Sequence, residues 1–185
     1  MPIERDKDAT QAAALARLIR PYVLRRTKEQ VLRELPPCTE RRLEVTLGKG
    51  ERALYDDAAL EAVARLERLV EEGAGQDARF HALAALTRLR QLACHPRLVE
   101  ASWRGSSAKL DALLELVREL VESGHRALVF SQFTSHLALV REALDAEGVA
   151  FQYLDGRTPA RERQRAIDAF QRGERPLFLV SLKAG

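Results

Sequence analysis

In the last third of the chain, short apolar runs alternate with helical patterns. Residues 127–130, 149–154 and 177–180 are apolar runs of the kind shown by strands covered on both faces, and each ends on polar residues. Those ends read Ser131-Gln132, Asp155-Gly156-Arg157 and Ser181-Leu182-Lys183. Between them the period changes to that of a helix. Leu110, Leu113, Leu114, Val117, Leu120 and Val121 mark one face of a first helix, with Gly124 as its stop. Thr134 stands where it could cap a second, which carries Leu137, Val140, Ala143 and Leu144 and ends at Gly148. Thr158-Pro159 opens a third, with Ile167 and Phe170 inward and Gly173 after it. Strands alternating with helices predict an α/β fold with a parallel sheet and right-handed crossovers. Ligands of such sheets gather at the strands' carboxyl ends.

The first hundred residues are patterned differently. Leu15, Leu18 and Ile19 stand at helical spacing until Pro21 interrupts, and Thr27-Lys28-Glu29-Gln30 matches a capping box before Val31, Leu32 and Leu35. Residues 42–47, RLEVTL, alternate as a half-buried strand would. Two long helices are predicted over 51–71 and 78–93. Leu54, Ala58, Val63, Leu66 and Leu69 or Val70 form the stripe of one, and Phe80, Leu83, Leu86, Leu89 and Leu92 or Ala93 that of the other. A helical hairpin follows. The polar segment at 102–109 marks a boundary, giving a connector at 1–50, a helical protrusion at 51–107 and the α/β part at 108–185.

Composition adds little to this picture. The chain has 185 residues, 46% hydrophobic, enough for a core, and its net charge is only +3. Residues 1–50 hold the basic excess, 11 basic against 7 acidic side chains, which suits phosphate contact and an ordinary solvated helix equally. Cys38 and Cys94 show no metal-ligand or disulfide spacing, and His81, His95, His125 and His136 no HxxxH or HExxH arrangement, so metal binding is not expected. No run approaches the ~20 apolar residues of a membrane span, and the N-terminus lacks a signal-like apolar core. A reducing cytoplasm is the simplest setting.

Motifs for nucleotide chemistry are not found in the sequence. ATP hydrolysis needs a phosphate-cradling GxxxxGK[ST] loop and an acidic residue for magnesium. Gly48-Lys49-Gly50 and Gly73-Ala74-Gly75 do not fit that pattern and read as turns. No GxGxxG follows a predicted strand, which argues against a dinucleotide enzyme. Trp103 reads as packing against a neighbouring helix.

Five segments in order, LIRPYVLRRTKEQVLRELPP from Leu18, RLRQLACHP from Arg88, ALVFSQFTSHL from Ala127, FQYLDGRTPARERQRAIDAF from Phe151 and LFLVSLKAG from Leu177, are spread over residues 18–185. Together they resemble the second RecA-like lobe of the Swi/Snf-type helicase-like DNA-dependent ATPases, with its inter-lobe linker and helical segment. The resemblance implies an incomplete parallel-sheet lobe of the P-loop NTPase type, part of an ATP-dependent double-stranded-DNA translocase. It implies a first lobe before Met1 holding ATP and Mg2+, phosphate-reaching arginines beyond Gly185, and no ATPase activity in this piece alone.

Carried residue by residue, the resemblance puts nucleic-acid contacts at Ser131, Gln132, Arg157, Ser181 and Lys183. Asp155, Gly156 and Gly185 would shape the loops, and Arg25, Arg26 and Lys28 form a basic cluster of the linker. Plainer readings stand beside these. Ser131-Gln132 reads also as a strand end in solvent, Asp155-Gly156-Arg157-Thr158 as a tight turn and Arg161, Arg163 and Arg165 as a solvated helix face, and the linker cluster could pair with protein acids. Expected partners are double-stranded DNA, the first lobe, and RNA polymerase or another DNA-bound protein. The location would be the bacterial cytoplasm at the nucleoid, or the nucleus of a eukaryote. A non-catalytic module that binds nucleic acid or RNA polymerase through the same lobe is the alternative. An exposed sheet edge predicts self-association of the isolated piece.

Overall fold

The computed structural model describes residues 9–27, 31, 34 and 38–182. They fall into two compact units, 1–43 and 44–185. In the first, helix α1 (Ala9–Ile19) gives way to a single 3-10 turn, Arg20–Tyr22. Pro21 explains the change, since it has no N–H to continue the helical ladder. The capped helix expected from Thr27 lies largely outside the described residues. The strand expected at 42–47 is absent: Val45 and Leu47 are half-buried and Thr46 exposed, as the alternation requires, but no strand pairs with them. A two-residue period without a ladder partner makes no strand.

The second unit opens with a helical hairpin, α2 (Lys49–Glu71) and α3 (Gly75–Cys94). Its turn depends on Gly73 at φ +72°, from which the N–H groups of Gly73 and Ala74 reach back to the carbonyls of Val70 and Leu69. The seam differs from the expected stripes. Ala58 is buried and Ala62, Ala78, Ala82, Ala85, Leu66 and Leu89 half-buried, whereas Phe80, Leu83 and Leu86 are 65%, 63% and 57% exposed and Val63 is exposed too. Alanine lets two helices approach closely, so small residues take much of the seam, with Leu54, Leu66, Leu69, Leu89 and Leu92 beside them.

Beyond a 3-10 turn at Pro96–Leu98 come α4 (Ala108–Glu122), β1 (Ala127–Ser131), α5 (Thr134–Ala146), β2 (Phe151–Leu154), α6 (Ala160–Gln171) and β3 (Leu177–Ser181). The sheet is all parallel in the order β1-β3-β2. The α/β expectation holds. Leu114 and Val117 of α4 and Leu137, Val140 and Leu144 of α5 bury Leu177 and Leu179 on one face. On the other, Ala166, Ile167 and Phe170 of α6 pack on Leu154 and Phe178, and Leu128 and Phe130 of outer strand β1 stay exposed.

Two caps differ from expectation. Thr134 is the first residue of α5, with Phe133 at the capping position and no side-chain cap; Ser131 Oγ instead accepts from the Phe133 N–H at 3.2 Å. Pro159, not Thr158, precedes α6, because the Thr158 hydroxyl is held by Asp155 in the turn before it.

Candidate nucleic-acid interface

Parallel register brings the three polar strand ends to one edge of the sheet. Ser131 and Ser181 are Cα partners across β1 and β3, Leu154 pairs with Val180, and the Leu182 N–H donates to the Ser131 carbonyl at 2.9 Å. Residues separated by fifty positions in sequence thus become neighbours at the carboxyl ends, where parallel sheets place ligands.

The predicted residues differ in what they offer. The Gln132 side chain is half-buried and its amide oxygen accepts from the guanidinium of Arg90, in α3. Ser131 is turned inward: its hydroxyl lies 3.3 Å from the Phe133 carbonyl and 3.5 Å from His136 Nδ1. Ser181 is only 2% exposed, on the face of Leu177 and Leu179, so its side chain faces the interior. Strand alternation carried that signal, since residues 177, 179 and 181 share a face. Lys183 and Gly185 lie outside the described residues.

Asp155 hydrogen-bonds within its own turn. One carboxylate oxygen accepts from the Arg157 N–H at 2.9 Å and the Thr158 hydroxyl at 3.2 Å, and the other from the Tyr153 hydroxyl at 2.9 Å. The Arg157 bond chiefly, with help from Tyr153 and Thr158, keeps the carboxyl below its ordinary pKa. Arg141 lies 4.5 Å over the Tyr153 ring, steadying the phenol. Gly156 and Arg157 stand exposed at the tip, and the Arg157 guanidinium makes no ion pair among the described residues. In the first unit, Arg25 and Arg26 are exposed, while Lys28 lies outside the described residues.

Sequence reasoning missed Arg90, which no local pattern distinguishes from Arg88, two positions earlier and paired with Glu61 at 3.3 Å. Further ties fix the hairpin to the lobe beside it. Arg97 pairs with Glu142 at 3.1 Å, the Ser107 hydroxyl donates to the Cys94 carbonyl at 3.4 Å, and the buried Glu51 carboxylate accepts from Ala108 N at 3.2 Å. His95 and His136 are also buried here. Burial, with neighbouring His95 and Lys109, lowers His136 to about 4, and its Nε2 has no hydrogen-bond partner among the described residues.

No cluster of metal-ligating side chains, three or more His, Cys, Asp or Glu together, is present among the residues described, and their strand-end turns lack a glycine-rich phosphate cradle. No described helix is long and apolar enough to cross a membrane.

The description "SNF2-related domain" matches residues 1–98, and "Helicase conserved C-terminal domain" matches residues 108–185. The chain belongs to the SNF2-related helicase family. A Bacillus subtilis (strain 168) protein named "Putative ATP-dependent helicase/translocase YwqA" is 32% identical over 193 residues, covering 100% of this chain and 20% of its own length. Mouse SWI/SNF-related matrix-associated actin-dependent regulator of chromatin subfamily A member 1 is 30% identical over 181 residues, 91% of this chain and 17% of that protein. The chain therefore spans about a fifth of such SNF2-related relatives. Among solved structures, the Sulfolobus solfataricus SWI2/SNF2 ATPase core in complex with dsDNA superposes with a TM-score of 0.71 at 25% identity, over 98% of this chain and 39% of that one. The three-stranded parallel sheet with its helices is thus an SNF2-type lobe.

Proposed function

We propose that this SNF2-type lobe is the second lobe of an ATP-driven translocase on double-stranded DNA, and that its strand-end edge grips the backbone of the duplex. One observation carries the reading: the sheet gathers three separated polar turns at a single edge, with Gln132 and Arg157 presented from it. Amide and guanidinium donors suit phosphate oxygens, and such contacts fix position on a duplex without reading its sequence. The Sulfolobus relative solved with dsDNA supports the choice of ligand. ATP and Mg2+ are proposed to lie on a first lobe of the same protein, in keeping with the Sulfolobus structure named an ATPase core, of which this chain covers 39%.

Hydrogen exchange of the full-length protein with and without a non-specific duplex tests this. Added duplex should slow exchange at residues 131–135 and 155–158 while leaving the far side of the hairpin around Leu83 and Leu86 unchanged. Protection confined to other regions would overturn the assignment.

A further inference from the structure

Arg90 lies in α3 and Gln132 directly after β1, 42 positions apart, and the guanidinium donates to the glutamine oxygen. A guanidinium has five N–H donors and no acceptor, so the amide edge that meets it must be the carbonyl oxygen. The Gln132 nitrogen therefore points the other way, with its two N–H groups available. Without that bond, the terminal torsion of glutamine is broad and nearly two-fold, and the amide would present oxygen as readily as nitrogen. An outward oxygen would face a phosphate with no proton to offer.

Resting on the translocase reading above, we propose that Arg90 is a positioning residue for the DNA grip: it holds the Gln132 amide with its donors facing the phosphate backbone. Arg88 pairs within the hairpin at 3.3 Å, whereas Arg90 crosses from the segment matched by the SNF2-related domain to the one matched by the helicase C-terminal domain. The Ser107 hydroxyl bond to the Cys94 carbonyl ties the carboxyl end of α3, four residues beyond Arg90, to the start of α4. The grip is then assembled from both segments of the chain, and the ligand it fits is an anionic oxygen of duplex backbone.

The test uses the full-length protein with a labelled non-specific duplex, reading affinity, the duplex concentration that half-saturates ATP turnover, and turnover at saturating duplex. Gln132→Glu keeps a partner for Arg90 but removes both donors, so duplex affinity should fall about tenfold or more with the unfolding midpoint unchanged. Arg90→Ala should raise the half-saturating duplex concentration several-fold while leaving turnover at saturation intact. Arg90→Lys, which also only donates, should recover part of the loss. The Arg90→Ala, Gln132→Ala double variant should bind no more weakly than the worse single one. Wild-type affinity in Gln132→Glu, or additive losses in the double variant, would overturn the positioning role while the translocase reading stands. A wild-type protein that binds no duplex at all would overturn both.

Discussion

The Glu51 carboxylate accepts a hydrogen bond from the backbone N–H of Ala108, a residue 57 positions further along the chain. The same carboxylate caps its own helix by accepting from Gly48 N at 2.8 Å. One buried acid thus serves the first turns of α2 and α4 together, where orphan N–H groups and helix dipoles favour negative charge. The hairpin and the lobe meet at that point.

Replacing Glu51 should therefore loosen both elements at once. Glu51→Ala leaves two backbone donors unpaired and should cost about 2–3 kcal/mol; Glu51→Gln, which keeps one acceptor, should cost roughly half as much. Urea unfolding of the 185-residue chain, followed by the fluorescence of its single tryptophan, measures both. A change below about 0.5 kcal/mol for the alanine variant would show that the shared cap does not hold the junction.

Trp103 lies against two glycines in this junction, and a methyl group added at Gly105 would stand 2.5 Å from its Cζ2, or at Gly50 2.8 Å from its Cη2. Neither distance is tolerable, so the indole must move. Gly105→Ala should destabilise the unit by about 1–3 kcal/mol and shift the tryptophan emission to the red. Unchanged emission and stability would mean that the ring is not confined as described.

Acid should weaken this region through His136. Its folded pKa of about 4 lies below the ordinary 6.5 of histidine, because burial, then His95 and Lys109, disfavour the charged ring. The unfolded chain takes up the proton first, so stability is full above about pH 6.5 and falls as pH drops towards 4. His95, lowered by burial and Arg97, acts in the same direction. Unfolding free energies between pH 7.5 and 4.5 should show a smaller fall in His136→Leu than in the wild type. Equal slopes would contradict a neutral buried ring.

For Arg157 the expectation concerns salt. Its backbone N–H is bound by Asp155 while its side chain stands exposed. Arg157→Ala in the full-length protein should weaken duplex binding and reduce the slope of log affinity against log salt by about one. A slope identical to wild type would remove Arg157 from the interface.

The lobe was legible because its signals are local. Apolar runs of four to six residues, glycines after helices and the Asp-Gly turn each act within a few positions, and strands β1, β2 and β3 formed within two residues of where they were expected. The hairpin stripes were right at Leu54, Ala58, Leu66, Leu69, Leu89 and Leu92 but overlooked the inward Ala62, Ala78, Ala82 and Ala85: a pattern weighted towards large apolar side chains put Phe80, Leu83 and Leu86 inside, and they are exposed. The Arg90–Gln132 bond could not be read at all, since it depends on how a hairpin docks on a sheet. Ser181 could have been placed inside from the parity of Leu177 and Leu179.

ATP turnover by the full-length protein, measured as duplex DNA is titrated in, tests the central claim most directly. If this chain is the DNA-gripping lobe of a translocase, duplex should stimulate turnover strongly, and the stimulation should require more duplex in the Arg157→Ala variant. Turnover that does not respond to duplex in a folded protein would contradict the account.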